Sequence, residues 1–222
     1  MNTAMFDYPK QAEFNRIVPK AKVYAFAKPT RAVRNRFVSQ VAEIVWKYKL
    51  SPETVNLPAR QGVQEIQIFV IALKTAELAE DVLRAMDRAI PSPIFFDLTF
   101  DGRVKSTAAY KRPGGIDASK PVVDVYFETE WQPAGIARPP LPVAVDLAGL
   151  YAQMLRGLLP LPPRAGEPIE AQVERARLIR VKESECRRLE ARILKEVQFN
   201  RKVEINAELR HCKAELEQLL EP

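Results

Sequence analysis

The chain has 222 residues, of which 47% are hydrophobic and 28% are charged, so it can bury one ordinary core and still carry an appendage. It has no run of eighteen apolar residues, and its first residues lack the layout of a secretory signal, so we expect a cytoplasmic protein with no membrane segment. The net charge of +6 is concentrated: residues 1–60 hold eleven Lys or Arg against four Asp or Glu, whereas residues 167–222 hold twelve of each.

Residues 1–29 contain three prolines and are predicted to form an extended basic arm, interrupted by at most a short strand around residues 23–26. The cations between residues 20 and 36 have no acid among them, so they could attract phosphate, dock an acidic partner or form a solvated face. The candidate nucleic-acid-binding residues are Lys20, Lys22, Lys28, Arg31, Arg34 and Arg36.

A first helix is predicted over residues 30–50, capped by Thr30, because its apolar side chains recur at spacings of three and four. Pro52 and Pro58 then force a turn or an extended loop. Residues 65–74 (EIQIFVIALK) begin with alternation and become apolar on both faces. This pattern is typical of a central strand that is covered on both sides.

A helix opening at Thr75 and a second strand over residues 93–100 complete a βαβ unit. Asp101 and Gly102 predict a tight hairpin turn into an antiparallel strand, and a fourth strand follows after a loop. The predicted fold class is therefore α+β: a small mixed sheet, made of a βαβ unit plus an antiparallel meander and packed with helices. This α/β globular domain is expected to span residues 30–160.

The rest of the chain is predicted to be mostly helical. Residues 131–142 are a proline-rich connector, after which Asp146 caps an apolar-faced helix. Residues 161–168 form a second proline-rich linker, and residues 169–221 contain neither Pro nor Gly. We expect this C-terminal segment to be a long helix or a helical hairpin, with coiled-coil character.

The apolar residues of the C-terminal segment follow two stripes with the spacing of a coiled-coil seam. The candidate partner-binding residues are Leu189, Ile193, Val197, Ile205, Leu209, Leu216 and Leu219. The two stripes are out of phase along one straight helix, so either different sides face different partners or the chain turns near residues 198–202. One continuous helix is favoured, because no Gly, Pro or Asp interrupts the junction. Such a narrow stripe requires a cover, which predicts self-association or a protein partner.

The residue types that usually carry catalysis are scarce. His211 is the sole histidine and lies among charged residues of the C-terminal helix, where a solvated role is expected. Cys186 and Cys212 have no companion at metal-ligand spacing and are interpreted as reduced, incidental thiols. We therefore expect no enzyme activity, no metal and no cofactor.

A divalent-metal nuclease is the least favoured alternative. Asp97 and Glu128 could hold Mg²⁺ from neighbouring strands, and Lys74 ends the central strand where it could steady a water molecule. However, Ala72 stands where the pattern requires a metal-binding acid. Each of the three residues also has a simpler structural interpretation.

Several longer motifs resemble a bacterial family of unknown function, family 4391. They are WKYKLSPETVNL (46–57), EIQIFVIALK (65–74), DRAIPSPIFFDL (87–98), YFETEW (126–131) and KEVQFNRKVEINAELR (195–210). The resemblance implies a DNA-handling context, because members of this family stand beside helicase and DNA methyltransferase genes in restriction-like and anti-phage defence loci. It implies no reaction.

The leading hypothesis is therefore a non-catalytic interaction subunit of such a system, whose C-terminal helix binds itself or a helicase or methyltransferase of the same locus. The alternative is a nucleic-acid-binding protein that uses the basic N-terminal region.

Overall fold

A computed structural model describes residues 6–112 and 122–221. The chain divides after Leu158 into two compact units. The first contains a mixed sheet and five helices, and the second contains two long helices. In chain order the elements are a 3-10 turn (Lys10–Ala12), β1 (Glu13–Ile17), α1 (Lys20–Ala27), α2 (Arg31–Gln40), β2 (Val41–Leu50), α3 (Pro52–Val55), β3 (Ile66–Leu73), α4 (Glu80–Ala89), β4 (Ile94–Phe100), β5 (Arg103–Arg112), β6 (Val122–Glu128), β7 (Gln132–Pro133), α5 (Leu147–Arg156), α6 (Ile169–Lys195) and α7 (Phe199–Leu220).

The strands form one sheet in the order β1-β2-β3-β4-β5-β6, with β7 paired to the free part of β5. Only β3 and β4 are parallel among the described pairs, and α4 makes the crossover between them. The predicted mixed α+β fold, with its βαβ unit and antiparallel meander, is confirmed. The β4–β5 hairpin turns at Asp101 and Gly102, whose φ angles of 46° and 69° are those of a tight primed turn.

The central strands are buried on both faces, as the sequence of β3 predicts. On one face Phe69 and Ile71 pack in a core with Phe37 of α2 and Met86 of α4. On the other face Tyr151 of α5 covers the sheet, and its hydroxyl donates to a main-chain carbonyl of β5 at 3.1 Å. Burial on both sides explains why β3 is apolar without interruption.

The prediction of an extended N-terminal arm is wrong for the described residues. β1 pairs with β2 at the sheet edge, and residues 20–27 form helix α1 instead of a short strand. Pro19 directly precedes α1, and Val23 is buried in the core. The prolines therefore separate short elements that pack on the domain, and the arm is not free.

The predicted first helix is half correct. Thr30 caps α2, but the helix ends at Gln40 and the chain continues directly as β2. Residues 41–50 are rich in β-branched and aromatic side chains, and they pair with β3 along their whole length. This tertiary pairing overrides a spacing of three and four that also suits a helix.

Helix α5 begins at a cap from a neighbouring residue, whereas the start of α4 is bonded by a residue that is distant in sequence. Asp146 accepts a hydrogen bond from the Gly149 amide at 2.7 Å and begins α5, as predicted. α4 begins at Glu80, later than the predicted Thr75. The amide of Ala79 at its start is bonded by the side chain of Gln40, which belongs to α2.

The prediction of one continuous C-terminal helix is wrong, and the hairpin alternative is correct. α6 and α7 are separated by residues 196–198 and are antiparallel, because Lys182 pairs with Glu215 and Glu190 pairs with Lys213. Folding back brings the two out-of-phase stripes together, and their mutual burial stabilises the break in the helix.

Candidate interaction surfaces

A narrow apolar seam joins α6 and α7 in the half of the hairpin that is nearer the turn. Its buried members are Cys186, Leu189, Ile205, Leu209 and Cys212. Salt bridges of 2.7 Å (Lys182 to Glu215) and 2.8 Å (Lys213 to Glu190) flank the seam on its partly exposed edges. Such pairs contribute little stability, about 0–1 kcal/mol each, but they fix the direction and register of the two helices.

The seven predicted partner-binding residues have three different environments. Leu189, Ile205 and Leu209 are buried in the seam, Ile193, Leu216 and Leu219 are half-buried, and Val197 is exposed. Apart from Val197, each stripe is at least partly covered within the same hairpin. The physical reason for expecting another chain at the seam is thereby removed, so an interaction must use a different part of the hairpin.

Arginine side chains tie together the open end of the hairpin. Arg175 of α6 binds both carboxylate oxygens of Glu167 at 2.8 Å and also donates to the Leu219 carbonyl of α7 at 3.3 Å. Arg164 donates to carbonyls of the last turn of α7 at 2.9 Å. The bonds from Arg175 lower the pKa of Glu167 to about 2. The arginine side chains therefore donate hydrogen bonds to main-chain carbonyls at the C-terminal end of α7, where the helix dipole favours cations.

The opposite end, which we call the tip (residues 192–204), has a well-bonded turn. One carboxylate oxygen of Glu196 accepts from the amides of Val197 and Gln198 at 2.9 Å each. These two bonds lower the pKa of Glu196. The carbonyl of Gln198 accepts from the Lys202 amide at 3.0 Å and starts α7. The turn is therefore held by its own hydrogen bonds.

Large apolar side chains at the tip face solvent. Leu194 is 85% exposed, Val197 91%, Phe199 78% and Val203 50%. Four cations and two acids lie among them: Arg192, Lys195, Arg201, Lys202, Glu196 and Glu204. A cluster of exposed large apolar groups on an ordered element is a common mark of a binding surface. Of these four apolar residues, only Val197 is predicted from the sequence; the other three are apolar residues that do not fit the seam spacing, which is the signal that identifies them.

The two thiols face each other inside the seam. The sulfur atoms of Cys186 and Cys212 are 2.8 Å apart, and both cysteines are buried and free. Burial and the neighbouring sulfur raise the pKa of Cys212 to about 11, so its thiol is protonated at neutral pH. Their role in this structure is packing.

Two of the six predicted nucleic-acid-binding cations are engaged within the first unit. The ammonium of Lys20 donates to the Val41 carbonyl at 2.5 Å, and burial and then the charge of Lys74 lower its pKa. Arg36 forms a salt bridge with Asp81 of α4. These two side chains help to fasten α1 and α2 to the domain.

The other four cations are exposed and lie on α1, at its C-terminal end or on α2: Lys22, Lys28, Arg31 and Arg34. We call them the basic face. Arg34 stands over the ring of Tyr24 at 5.5 Å, and Phe26 of α1 is 67% exposed. Cations interleaved with aromatic rings can contact both the phosphates and the bases of a nucleic acid.

The three predicted nuclease residues do not converge. Asp97 pairs in register with Ser106 of β5, whereas Glu128 pairs with the next residue, Thr107, so the two acids point to opposite faces of the sheet. Lys74 donates to a main-chain carbonyl of α2 at 2.8 Å. Among residues 6–112 and 122–221, no group of three or more His, Cys, Asp or Glu residues is placed to hold a metal ion.

A buried charged cluster lies at the end of the crossover helix. The ammonium of Lys111 contacts Asp87 at 2.9 Å and donates to the carbonyls of Ile90 and Ser92 at 2.6 and 2.9 Å. The hydroxyl of Tyr126 donates to the other oxygen of Asp87. Burial raises the pKa of Asp87 and lowers that of Lys111. All three protons of the ammonium have acceptors, which indicates a structural tie between α4 and β5.

The sequence model of the family described as Domain of unknown function (DUF4391) matches residues 6–216, so the chain belongs to that family. No curated protein matches the chain, and no solved structure matches it. None of the described helices combines the length and the apolarity needed to cross a bilayer.

Proposed function

We propose that this member of the family is a non-catalytic interaction subunit of a bacterial DNA-handling system and that it binds a partner protein through the tip of its helical hairpin. The observation that carries the proposal is the exposure of four large apolar side chains at the tip, around a turn in which Glu196 accepts two main-chain hydrogen bonds. The gene neighbourhood expected for this family points to a helicase or a DNA methyltransferase of the same locus as the partner.

The size and charge of the tip favour a different protein over a second copy of the chain. A stable dimer buries about 800 Å² on each partner, which is more than a tip-to-tip contact of a few side chains supplies. Insertion into a groove covers the tip on both sides and meets this requirement. Since cations outnumber acids at the tip, the complementary groove is apolar with an acidic rim.

Co-expression with the helicase and the methyltransferase of its locus tests the proposal. The wild type is expected to co-purify with one of them, and Val197→Asp combined with Phe199→Asp is expected to abolish this, because two desolvated charges would enter an apolar groove. Arg187→Asp is the matched control, since it places the same residue type on an exposed position of α6 outside the tip.

Circular dichroism and light scattering complete the test. The double variant is expected to keep wild-type helicity, because both replaced side chains are exposed. Absence of a complex between the wild type and either partner contradicts the proposal. Equal loss of the complex in Arg187→Asp and in the tip variant also contradicts it, because the tip would then carry no specificity.

A second function, nucleic-acid binding by the basic face, is supported by a separate observation: four exposed cations lie on α1, at its C-terminal end and on α2, and the ring of Phe26 on α1 is also exposed. Arg31→Ala with Arg34→Ala is expected to weaken binding to any DNA sequence. The slope of log K against log salt should fall by about 0.9 for each lost phosphate contact. Arg36→Ala is the matched control, because Asp81 already pairs with Arg36. Undetectable wild-type binding at low salt would rule this function out.

A further inference from the structure

The first unit contains a cavity of about 240 Å³ between the sheet, α1 and the end of α4. Its walls are mostly apolar: Trp46 and Phe69 come from the sheet, Val23 and Phe26 from α1, and Met86 and Ile90 from α4 and the residue after it. Cavities of about 150 Å³ hold one benzene ring, whereas drug-sized ligands occupy about 300–1,000 Å³. The volume therefore suits a molecule of one or two fused rings and is too small for a nucleotide.

The shape of the wall favours a flat ligand. The rings of Trp46 and Phe69 are stacked with centroids 5.8 Å apart and an interplanar angle of 20°. Both rings line the cavity from one face of the sheet. Phe26, which also lines the cavity, is 67% exposed. An aromatic ligand would stack on the sheet side and gain contact with this otherwise solvated ring.

Two polar atoms among the lining residues are buried without a partner in the described structure. Gln67 is only 1% exposed, and its Oε1 accepts no hydrogen bond there. The indole Nε1–H of Trp46 likewise has no acceptor. Buried polar groups in proteins are almost always hydrogen-bonded, so each such orphan requires an explanation.

The two orphan groups have complementary chemistry and share one face of the sheet. Trp46 pairs in register with Phe69, and Gln67 lies two residues before Phe69, so all three side chains point to the same side. One group is an acceptor and the other is a donor. Two charged residues also line the cavity. Glu65 is already paired with Lys49 at 2.6 Å, and Lys22 is exposed to solvent, so neither is a buried unpaired charge. An uncharged ligand therefore suits the site better than an ion.

We propose that this cavity binds a small, uncharged, planar heteroaromatic molecule that donates an N–H to Gln67 and accepts a hydrogen bond from the indole of Trp46. The proposal is separate from the partner and nucleic-acid functions above, because the hydrogen bonds that it assigns come from Trp46 and Gln67, although Lys22 of the basic face and Phe26 also line the cavity. It assigns a ligand site to a domain in which the sequence indicates no cofactor.

Benzimidazole and indole are a matched pair of probes at pH 8. Both are flat, bicyclic and uncharged, and both carry an N–H, but only benzimidazole has a ring nitrogen that can accept from Trp46. Titration of the full-length protein by calorimetry is expected to give a dissociation constant about tenfold lower for benzimidazole than for indole. In a ¹H–¹⁵N spectrum benzimidazole should shift the indole signal of Trp46 and leave that of Trp131 in place.

Three variants assign the contacts. Trp46→Phe keeps an aromatic wall without the donor, so the preference for benzimidazole over indole should disappear. Gln67→Leu removes the acceptor at similar volume, so both probes should bind about tenfold more weakly. Ala89→Phe fills the cavity, which Ala89 lines, and should abolish binding of both.

The proposal is overturned if neither probe binds at millimolar concentration. It is also overturned if the two probes bind equally well, because binding would then be simple partition into an apolar space. Unchanged binding in Ala89→Phe would place the probes elsewhere on the protein and would equally reject this site.

Discussion

The two units of this protein are stabilised in different ways. In the first, the central strands of a seven-stranded sheet are buried on both faces, and charged groups such as Asp87 and Lys111 lie inside the core. In the second, the seam buries five residues between α6 and α7, the first half of α6 also buries Val173, Ala176 and Ile179, and the ion pairs that flank the seam lie at the surface. The first unit should therefore be sensitive to a loss of charge pairing, whereas the second should respond to single apolar truncations and to loss of the shielded ion pair between Arg175 and Glu167.

Lys111→Met is expected to have the largest effect. It leaves Asp87 buried beside an apolar side chain, which costs about 3–5 kcal/mol of unfolding free energy. Both tryptophans, Trp46 and Trp131, lie in the first unit, so urea unfolding followed by tryptophan fluorescence reports on that unit.

The matched control is Lys49→Met, which breaks a partly exposed pair with Glu65 and should cost about 0–1 kcal/mol. Adding Asp87→Asn to Lys111→Met should recover part of the loss, because the orphaned charge is removed. If Lys111→Met is as stable as Lys49→Met, the buried cluster is not a structural tie.

In the second unit, Leu209→Ala is expected to cost about 2–3 kcal/mol, because it truncates one of the five buried seam residues. Leu194→Ala in the same hairpin should change stability by no more than about 0.5 kcal/mol, since this side chain is 85% exposed. Hydrogen exchange of the amides of α6 and α7 measures the stability of the hairpin in each variant, and only Leu209→Ala should lower the protection. Similar losses of protection in both variants would contradict the division into seam and tip.

The smallest expected effect is a pH dependence from Glu167. Its pKa is about 2 in the folded protein against an ordinary 4.5, so the contribution is complete above pH 4.5 and is lost as the pH falls towards 2. Glu167→Gln should remove about 1–2 kcal/mol near neutral pH and flatten this dependence. Hydrogen exchange of α7 between pH 3 and 7, corrected for intrinsic rates, measures it.

Glu174→Gln is the control for this experiment, because Glu174 pairs with Arg177 on an exposed helix face. Its effect should remain below about 0.5 kcal/mol. If the two variants have the same pH profile, the bidentate bond between Arg175 and Glu167 contributes no more than a surface pair.

Many local features could be predicted from sequence because their causes are local. The apolar run of β3, the turn at Asp101 and Gly102 and the cap by Asp146 each depend on residues within a few positions of one another. The candidate sites were harder to predict from the sequence. The tip of the hairpin and the cavity beside Trp46 depend on which stripes are covered, and this cannot be deduced from spacing alone.

The sequence by itself determined the α+β class, the crossover, the hairpin turn and the helical character of the C-terminal segment, since propensity, turn chemistry and apolar period act over short distances. Tertiary structure decided that residues 41–50 form a strand and that the C-terminal segment folds back on itself. In both places the same apolar residues are compatible with two local conformations. Pairing with β3 selects the strand at residues 41–50. Burial of the two stripes against each other selects the hairpin in the C-terminal segment.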